Sequence, residues 1–518
     1  MHAPARTRSG RRSSGILVAA VLAATAAILP GAQAMAQDAT PTGTLRVGIA
    51  ALSTADTLDP AMATTAGGYA IARQLYDTLV EYGIDGSVVP RLAESVTPGE
   101  TADVWTVKLR EAHWSDGRPV TADDVIASVQ RWFSGDEPMA PANSLPFVDP
   151  DAITKVDDLT VEFHLKYPTV VFPDALTSPL AAIVPADFDA AAPIGSGPFV
   201  LAENDPGVRV TFTANEDYWE AGKPGAAELE LISFPDSTSM INALIGDQID
   251  VASSMDPSLV PLVEGAGDGY TVFSYPTSGT LTWQMNVLQE PFDDPLVRQA
   301  FRLAVNRQEL IDQVYVGNAM IGNDIFSPFD PLYDADLPQR EQDVAKAKEL
   351  LAQAGYPDGV DVELTAAPIQ PTAVRQNEVM VQQVKDAGFN VNFNQVDAAT
   401  YYGDAYGTYP LSLSFWGQLG IFDQAAFTIV NDAPYNATKW QDDEYNALYE
   451  EAVRTVDDAK RAELVHQMQQ IEYERGPYVV PLFVNNLSAY DTKVTGYQPY
   501  PNSDGPSGYN FKDMSIGE

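Results

Sequence analysis

The sequence predicts an α/β protein, and three observations lead to this class. Short strand-like segments and amphipathic helix patterns alternate from the start of the chain to its end. The chain has 518 residues, of which 45% are hydrophobic, so it can bury large cores. No internal repeat or low-complexity tract is present, and the alternation argues against a helical array or an all-β barrel.

The first half of the chain supplies both kinds of signal. Residues 43–50 have the composition of a buried strand, and residues 70–82 place four apolar side chains at helical spacing. Thr121 and Asp124 form a variant of the capping box, which opens a helix. Further strands are predicted at residues 104–109, 160–165, 208–214, 229–234 and 270–275, and a further helix at 237–245.

The second half repeats the alternation with clearer helix boundaries. Asp294 is a natural N-cap followed by Pro295 at the first helical position. Gly355 and Gly388 close the helices that precede them, because glycine adopts the left-handed conformation found there. The predicted helices are 344–354, 379–387, 443–453 and 458–475, and the predicted strands are 360–365, 390–396 and 478–485.

Composition excludes several classes of function. The chain contains 30 Lys+Arg against 71 Asp+Glu, a formal charge of −41, so it repels nucleic acid and anionic membrane surfaces. Cysteine is absent, which excludes thiolate metal sites, disulfides and cysteine nucleophiles. We therefore expect no nucleic-acid partner, and we expect a monomer.

The N-terminus has the pattern of a signal peptide. Four arginines precede an apolar run at 15–29, and Ala34-Met35-Ala36 is a small-residue cleavage sequence. The prediction is a signal peptide at 1–36, cleaved near Ala36, and a periplasmic product. No later stretch of the sequence reaches membrane-spanning length.

Catalytic motifs are missing from the sequence. The four histidines, His2, His113, His164 and His466, belong to no zinc-protease pattern, and neither a nucleophile elbow nor a phosphate-binding loop occurs. The acidic doublets precede predicted helices, where carboxylates complement the helix dipole. We expect a protein that is not an enzyme and that uses no metal or cofactor.

Eight phrases in order resemble the family 5 solute-binding proteins of ABC importers, the group of dipeptide, oligopeptide, nickel and some oligosaccharide binders. They are Leu58-Asp-Pro60, Arg73-Gln-Leu-Tyr-Asp-Thr-Leu-Val80, Pro90-Arg-Leu-Ala-Glu-Ser95, Trp114-Ser-Asp-Gly-Arg-Pro-Val-Thr-Ala-Asp-Asp-Val125, Gly195-Ser-Gly-Pro-Phe199, Asn215-Glu-Asp-Tyr-Trp219, Phe292-Asp-Asp-Pro-Leu-Val-Arg-Gln-Ala300 and Leu350-Leu-Ala-Gln-Ala-Gly-Tyr-Pro357. Each phrase alone is weak, and their order makes the match specific.

The resemblance implies a bilobal type II periplasmic-binding-protein fold with an additional domain in the first half. Its expected divisions are lobe I at 37–88, 193–277 and 486–518, the additional domain at 89–192, and lobe II at 278–485. Two crossings, near Ser278 and Asn485, would form a hinge. The implied function is capture of a solute between the lobes, closure, and delivery to the permease subunits of an ABC transporter.

The resemblance also places a ligand site after the strand that ends at Trp416. Peptide-binding relatives carry Trp-x-x-Asp there, and the Asp neutralises the peptide α-ammonium; here the Asp position holds Leu419. Either Asp423 takes over this charge, or the ligand has no ammonium group. A structural role for Asp423 is an equal alternative.

Aromatic and amide residues near the same inferred cleft complete the candidate site. Flat aromatic faces stack on rings, and amides bind hydroxyl and carbonyl groups. For Trp283 and Tyr401, a place in the core is at least as plausible as ligand contact. We expect a peptide-sized neutral or sugar-like solute, with peptide nearly as well supported; an exported hydrolase or a chaperone is the alternative. The remaining candidates are Tyr69, Asn286, Trp416, Gln418 and Asn436.

Overall fold

A computed structural model describes residues 40–50, 52–135, 137–503 and 505–517. The predicted signal peptide lies outside the described residues. None of the helices in the described ranges is both long and apolar enough to cross a bilayer.

The described part of the chain up to residue 276 contains twelve strands and five α-helices. The strands are β1 (Thr44–Ala50), β2 (Val80–Tyr82), β3 (Val88–Pro90), β4 (Ala93–Pro98), β5 (Val104–Leu109), β6 (Val148–Asp157), β7 (Thr160–Leu165), β8 (Phe199–Asp205), β9 (Arg209–Ala214), β10 (Glu228–Phe234), β11 (Val251–Ala252) and β12 (Tyr270–Pro276). The helices are α1 (Ala66–Leu75), α2 (Ala122–Trp132), α3 (Ala140–Asn143), α4 (Ser237–Ile245) and α5 (Val260–Gly265).

The remainder of the described chain contains nine strands and eight α-helices. The strands are β13 (Thr280–Met285), β14 (Ala319–Ile321), β15 (Val360–Ala366), β16 (Phe389–Gln395), β17 (Leu411–Trp416), β18 (Tyr478–Val479), β19 (Leu482–Asp491), β20 (Val494–Thr495) and β21 (Ser515–Ile516). The helices are α6 (Pro295–Ala304), α7 (Arg307–Tyr315), α8 (Val344–Gln353), α9 (Ala373–Lys385), α10 (Ala398–Tyr401), α11 (Ile421–Thr428), α12 (Asp443–Ala452) and α13 (Asp458–Arg475).

The three largest sheets of the described chain define its architecture. Sheet A has the order β12-β19-β11-β1-β10-β9-β8, sheet B has the order β16-β15-β17-β13-β18, and sheet C has the order β4-β5-β7-β6. Sheets A and B mix parallel and antiparallel pairs, whereas sheet C is antiparallel throughout. Each sheet packs its own hydrophobic cluster, and sheet B packs a cluster on each face.

Two chain segments join sheet A to sheet B. The first runs from the end of β12 at Pro276 to the start of β13 at Thr280. The second is β19, which pairs with β14 over 482–484 and with β12 over 485–491. Val484 connects the two segments, because its N–H donates to Gly279 O at 2.8 Å and its carbonyl accepts the N–H of Thr277 at 3.2 Å. The lobe boundaries themselves stay a prediction.

Several local predictions are confirmed. Thr121 caps α2, and the Asp124 carboxylate accepts the N–H of Thr121 at 2.9 Å. Asp294 caps α6 through a hydrogen bond from the N–H of Leu296 at 2.7 Å. Gly355 and Gly388 have φ of +95° and +101°, the left-handed conformation expected after a helix.

The helix predicted at 70–82 is wrong in its second half. Helix α1 spans Ala66–Leu75, and the chain then turns into β2. The carbonyls of Thr78 and Leu79 accept the N–H groups of residues 91–93 instead of helical partners. Because residues 76–82 are buried on every side, their apolar pattern fits a helix and a buried strand equally well.

Candidate functional site

Two neighbouring cavities share part of their walls. Cavity 1 has a volume of about 560 Å³ and cavity 2 of about 460 Å³, and Gln418 and Tyr509 line both. Cavity 1 lies between residues 143–179 on one side and residues 418–454, from α11 and α12, on the other. Cavity 2 lies beyond the ends of β1 and β11, beside the two segments that join sheets A and B. Both have the size of a small-molecule or short-peptide site.

The wall of cavity 1 on the α11 side is held by residues 327–330. Ser327 donates a hydrogen bond from its hydroxyl to the carbonyl of Leu419 at 2.8 Å. Asp330 accepts the N–H of Ile421, the first residue of α11, through Oδ2 at 2.9 Å. These contacts fix the start of α11, so that Asp423 in its first turn lines cavity 1.

Polar oxygens from separate parts of the chain converge at Gly420. An ideal Cβ on Gly420 would lie 3.3 Å from Asp330 Oδ2, 3.6 Å from Tyr82 Oη and 3.9 Å from Asp174 Oδ1. Because Gly420 has no side chain, these three oxygens can lie close to its backbone. Asp174 and Tyr82 line cavity 1 together with Asp423.

This group of acids is electrostatically unbalanced. Burial raises the pKa of Asp423 to about 6, and the negative charge of Asp330 adds to the effect. Burial also raises the pKa of Asp174 well above its usual range, reinforced by Asp423 and Asp330. The pKa of Asp330 is raised by burial, while its backbone N–H bonds act in the opposite direction. A positively charged ligand group would relieve this imbalance.

Two arginines, Arg73 and Arg454, line cavity 1, and Arg454 is exposed to solvent. A third, Arg461, acts on Asp174 by its charge. Arg73 lies 3.7 Å from Glu81 and donates to the carbonyl of Thr177 at 2.9 Å. Arg461 forms an ion pair with Asp458 and donates to the carbonyl of Thr455 at 2.9 Å. Within the described ranges, neither Asp174 nor Asp423 forms a salt bridge with a basic side chain.

Three of the residues selected from the sequence line the cavities. Gln418 lies where cavities 1 and 2 meet, and Leu419 and Asp423 line cavity 1. The apolar side chain of Leu419 therefore lies in the wall of cavity 1, at the position where the family resemblance led us to expect a carboxylate. Asp423, about one helical turn further along the chain, presents a carboxylate to the same space.

The structure places Trp283, Asn286 and Tyr401 in the core, which for Trp283 and Tyr401 is the alternative that the sequence left open. Trp283 is 0% exposed and donates from Nε1 to Asn377 Oδ1 at 2.8 Å. Tyr401 is 0% exposed and donates to the carbonyl of Leu413 at 2.8 Å. Asn286 is 2% exposed and uses its amide for Gly407 O and for the N–H of Leu288. Their aromatic and amide groups serve packing and internal hydrogen bonds.

Trp416, Tyr69 and Asn436 also lie away from the described cavity walls. Phe415 lines cavity 2, and because strand residues alternate, Trp416 points to the other face of sheet B, where its ring packs 6.1 Å from that of Tyr435. Tyr69 packs against the core of sheet A. Asn436 stabilises a local turn by donating to Trp440 O at 2.9 Å and accepting from the hydroxyl of Thr438 at 2.7 Å.

Replacing Trp416 by phenylalanine should change ligand affinity by less than about twofold. The indole Nε1 of Trp416 is buried and has no hydrogen-bond partner among the described residues, so the substitution removes no such bond. Calorimetry with a bound peptide measures the effect, and Gln418→Ala, which alters a residue of both cavities, serves as the comparison. A tenfold loss in Trp416→Phe would place the indole in the ligand site after all.

Sequence reasoning missed the residues that reach cavity 1 from other parts of the chain. Asp174, Tyr82 and Tyr509 lie in segments without a motif that marks a ligand site. Asp330 follows Phe329 and precedes Pro331, a turn-like sequence that gives no hint of its contact with α11. Their proximity arises only from the packing of segments distant in sequence.

Comparison with known proteins identifies the family. The model of the bacterial extracellular solute-binding proteins, family 5 (middle region), matches residues 87–439. The chain belongs to this family of solute-binding proteins of ABC importers, as the eight sequence phrases indicated. The family consists of binding proteins and not of enzymes.

Relatives of known name cover nearly the whole chain. The di/tripeptide-binding protein 1 of Pseudomonas aeruginosa is 28% identical over 89% of this chain and 92% of its own length. The dipeptide-binding protein of Escherichia coli is 27% identical over 85% and 89%. The glutathione-binding protein GsiB of Escherichia coli is 26% identical over 89% and 92%. These names lend no support to the expectation of a sugar-like solute.

Solved structures confirm the fold class. The periplasmic binding protein AgaA from A. tumefaciens R10, in complex with agropinic acid, superposes with a TM-score of 0.72 at 27% identity and covers 92% of this chain and 99% of its own. The substrate-binding protein CtaP from Listeria monocytogenes gives a TM-score of 0.81 at 23% identity, with coverage of 92% and 100%. The latter likeness concerns the fold alone.

Proposed function

We propose that this solute-binding protein captures short peptides with a free α-ammonium group in cavity 1. The observation that carries the proposal is the carboxylate of Asp423, which faces cavity 1 and forms no salt bridge with a described basic side chain. The names of the peptide-binding relatives support the same solute class. A peptide ligand replaces the neutral or sugar-like solute expected from the sequence.

The energetics of the site favour a cationic ligand group. An enclosed carboxylate loses hydration, which raises its pKa and makes the empty, ionised site costly. An ammonium group placed against Asp423 restores the lost interaction through a charge-assisted hydrogen bond. Leu419 can then remain apolar, because the charge it lacks is supplied from α11.

Transport follows from ligand contacts on both sides of the cavity. We propose that residues 37–88, 193–277 and 486–518 form one lobe, that 278–485 form the other, and that residues 89–192 add the wall containing Asp174. A ligand that touches both walls binds the closed form better and shifts the population toward it. The closed, exported protein, acting as a monomer in the periplasm, would deliver the peptide to its permease.

Calorimetry with three probes tests the proposal. At pH 7.5 alanyl-alanine should bind, whereas N-acetyl-alanyl-alanine should bind at least about tenfold more weakly, because acetylation removes the ammonium charge that Asp423 recognises. A neutral disaccharide should show no measurable heat. Tight binding of the acetylated peptide or of the disaccharide, with none of the free amine, would overturn the proposal.

A further inference from the structure

Three carboxylates line cavity 1, and those of Asp174 and Asp423 are half-buried whereas that of Glu450 is exposed to solvent. Asp423 reaches the cavity from α11, and Asp174 reaches it from the short helical turn at Asp174–Leu176 on the opposite wall. A third aspartate, Asp330, already accepts the N–H groups of Ile421 and Leu332, each at 2.9 Å. Each oxygen of Asp330 thus accepts one backbone N–H, whereas Asp174 and Asp423 line the cavity itself.

Two other acids of this protein show how a buried carboxylate can be compensated within the chain. Asp77 lies 2.8 Å from Arg91, and Asp324 lies 2.7 Å from Arg307. Each of these buried carboxylates has a guanidinium partner, which offsets its lost hydration. Asp174 and Asp423 are half-buried, and they face a cavity in place of an arginine.

The alternative of a metal ion does not fit the two acids. No group of three or more potential metal-ligating side chains is arranged to hold an ion in the described part of the chain. Besides Arg73 and Arg454, the remaining wall of cavity 1 includes aromatic and apolar side chains, among them Phe147, Leu419 and Phe427. Such a wall suits the methylene chain of an organic cation, with charged groups at its ends.

We propose that cavity 1 selects peptides whose first residue carries a second positive charge, such as lysine, ornithine or arginine. This inference rests on the proposed function: one carboxylate binds the α-ammonium, and the other binds the side-chain cation. The pair Asp174 and Asp423 then acts as a dication site, with the aliphatic part of the side chain along the apolar wall. Asp174 becomes a specificity-determining residue for the first position of the peptide.

The experiment compares lysyl-alanine with norleucyl-alanine, which has a similar side-chain length without the charge. By calorimetry at pH 7.5, the wild-type protein should bind lysyl-alanine at least about tenfold more tightly than norleucyl-alanine. In Asp174→Asn this preference should fall to about twofold or less, while the affinity for norleucyl-alanine stays within about threefold. Asp151→Asn, an exposed change in the same part of the chain, is the matched control and should keep the full preference.

The outcomes separate this inference from the proposed function. If neither dipeptide binds, the proposed function fails. If both bind equally well to the wild-type protein, only the dication site is wrong. Nε-acetyl-lysyl-alanine tests the same point on the unmodified protein and does not depend on the folding of a variant: its affinity should match that of norleucyl-alanine, and affinity equal to that of lysyl-alanine would overturn the inference.

Discussion

Replacing Asp423 by asparagine should weaken the binding of alanyl-alanine at pH 7.5 by about a hundredfold. The change removes the charge of the hydrogen bond to the peptide ammonium, which is worth about 3 kcal/mol when the acceptor is ionised and enclosed. It preserves the size of the side chain, so the walls of cavity 1 keep their shape. Calorimetry gives the affinity, and Asp404→Asn, an exposed change in the same half of the chain, is the control.

In the Asp423→Asn variant, the affinity for the peptide should also depend much less on pH. Burial raises the pKa of Asp423 to about 6 in the free protein, so the carboxylate is ionised above pH 6 and protonated below it. Only the ionised form pairs with an ammonium group, and wild-type affinity should therefore fall about tenfold between pH 7 and pH 5. Asp423→Asn should show a much flatter profile. An unchanged affinity in the variant would remove Asp423 from the site.

Asp324→Asn should lower the free energy of unfolding by about 3 to 5 kcal/mol, because it leaves buried arginines without their counter-charge. The side chain of Asp324 is 0% exposed and lies 2.7 Å from Arg307, 2.7 Å from Arg340 and 4.0 Å from Arg302. Asparagine tolerates the left-handed φ of +61° at this position. The fall in the free energy of unfolding therefore results from the lost charge and not from backbone strain. Urea denaturation followed by circular dichroism measures it.

Asp432→Asn is the matched control for this stability prediction. Asp432 also has a left-handed φ, of +63°, but it is exposed. Its substitution should change the free energy of unfolding by no more than about 0.5 kcal/mol. Equal losses in the two variants would show that the effect at Asp324 comes from local backbone conformation.

The ends of several helices could be predicted well from the sequence. The caps at Thr121 and Asp294 and the glycines after α8 and α9 depend on neighbouring residues only, and each is found as predicted. The boundary after Leu75 could not be predicted, because a segment buried on all sides gives the same apolar pattern in a helix and in a strand. Tertiary pairing with residues 91–93 decides it.

Some residues of the candidate site could likewise be predicted from the sequence, and others could not. Gln418 and Leu419 come just after β17 and Asp423 lies in the first turn of α11, and a family pattern located this segment along the chain. Trp283 and Tyr401 show the limit of residue type as a guide, because a large ring with one polar atom suits a core as well as a ligand surface. Asp174 meets Asp423 only through packing across the cavity, a relation that a single sequence does not contain.

The continuity of β19 determines which motions between sheets A and B are easy. The strand passes from its pairing with β14 to its pairing with β12 without a loop, and Val484 is hydrogen-bonded to the neighbouring connection at residues 277–279. A β-strand changes its twist readily, whereas stretching it breaks covalent geometry or ladder bonds. We therefore expect that rotation of the two sheets about the axis of β19 needs little energy. Translation of one sheet along the other would need much more.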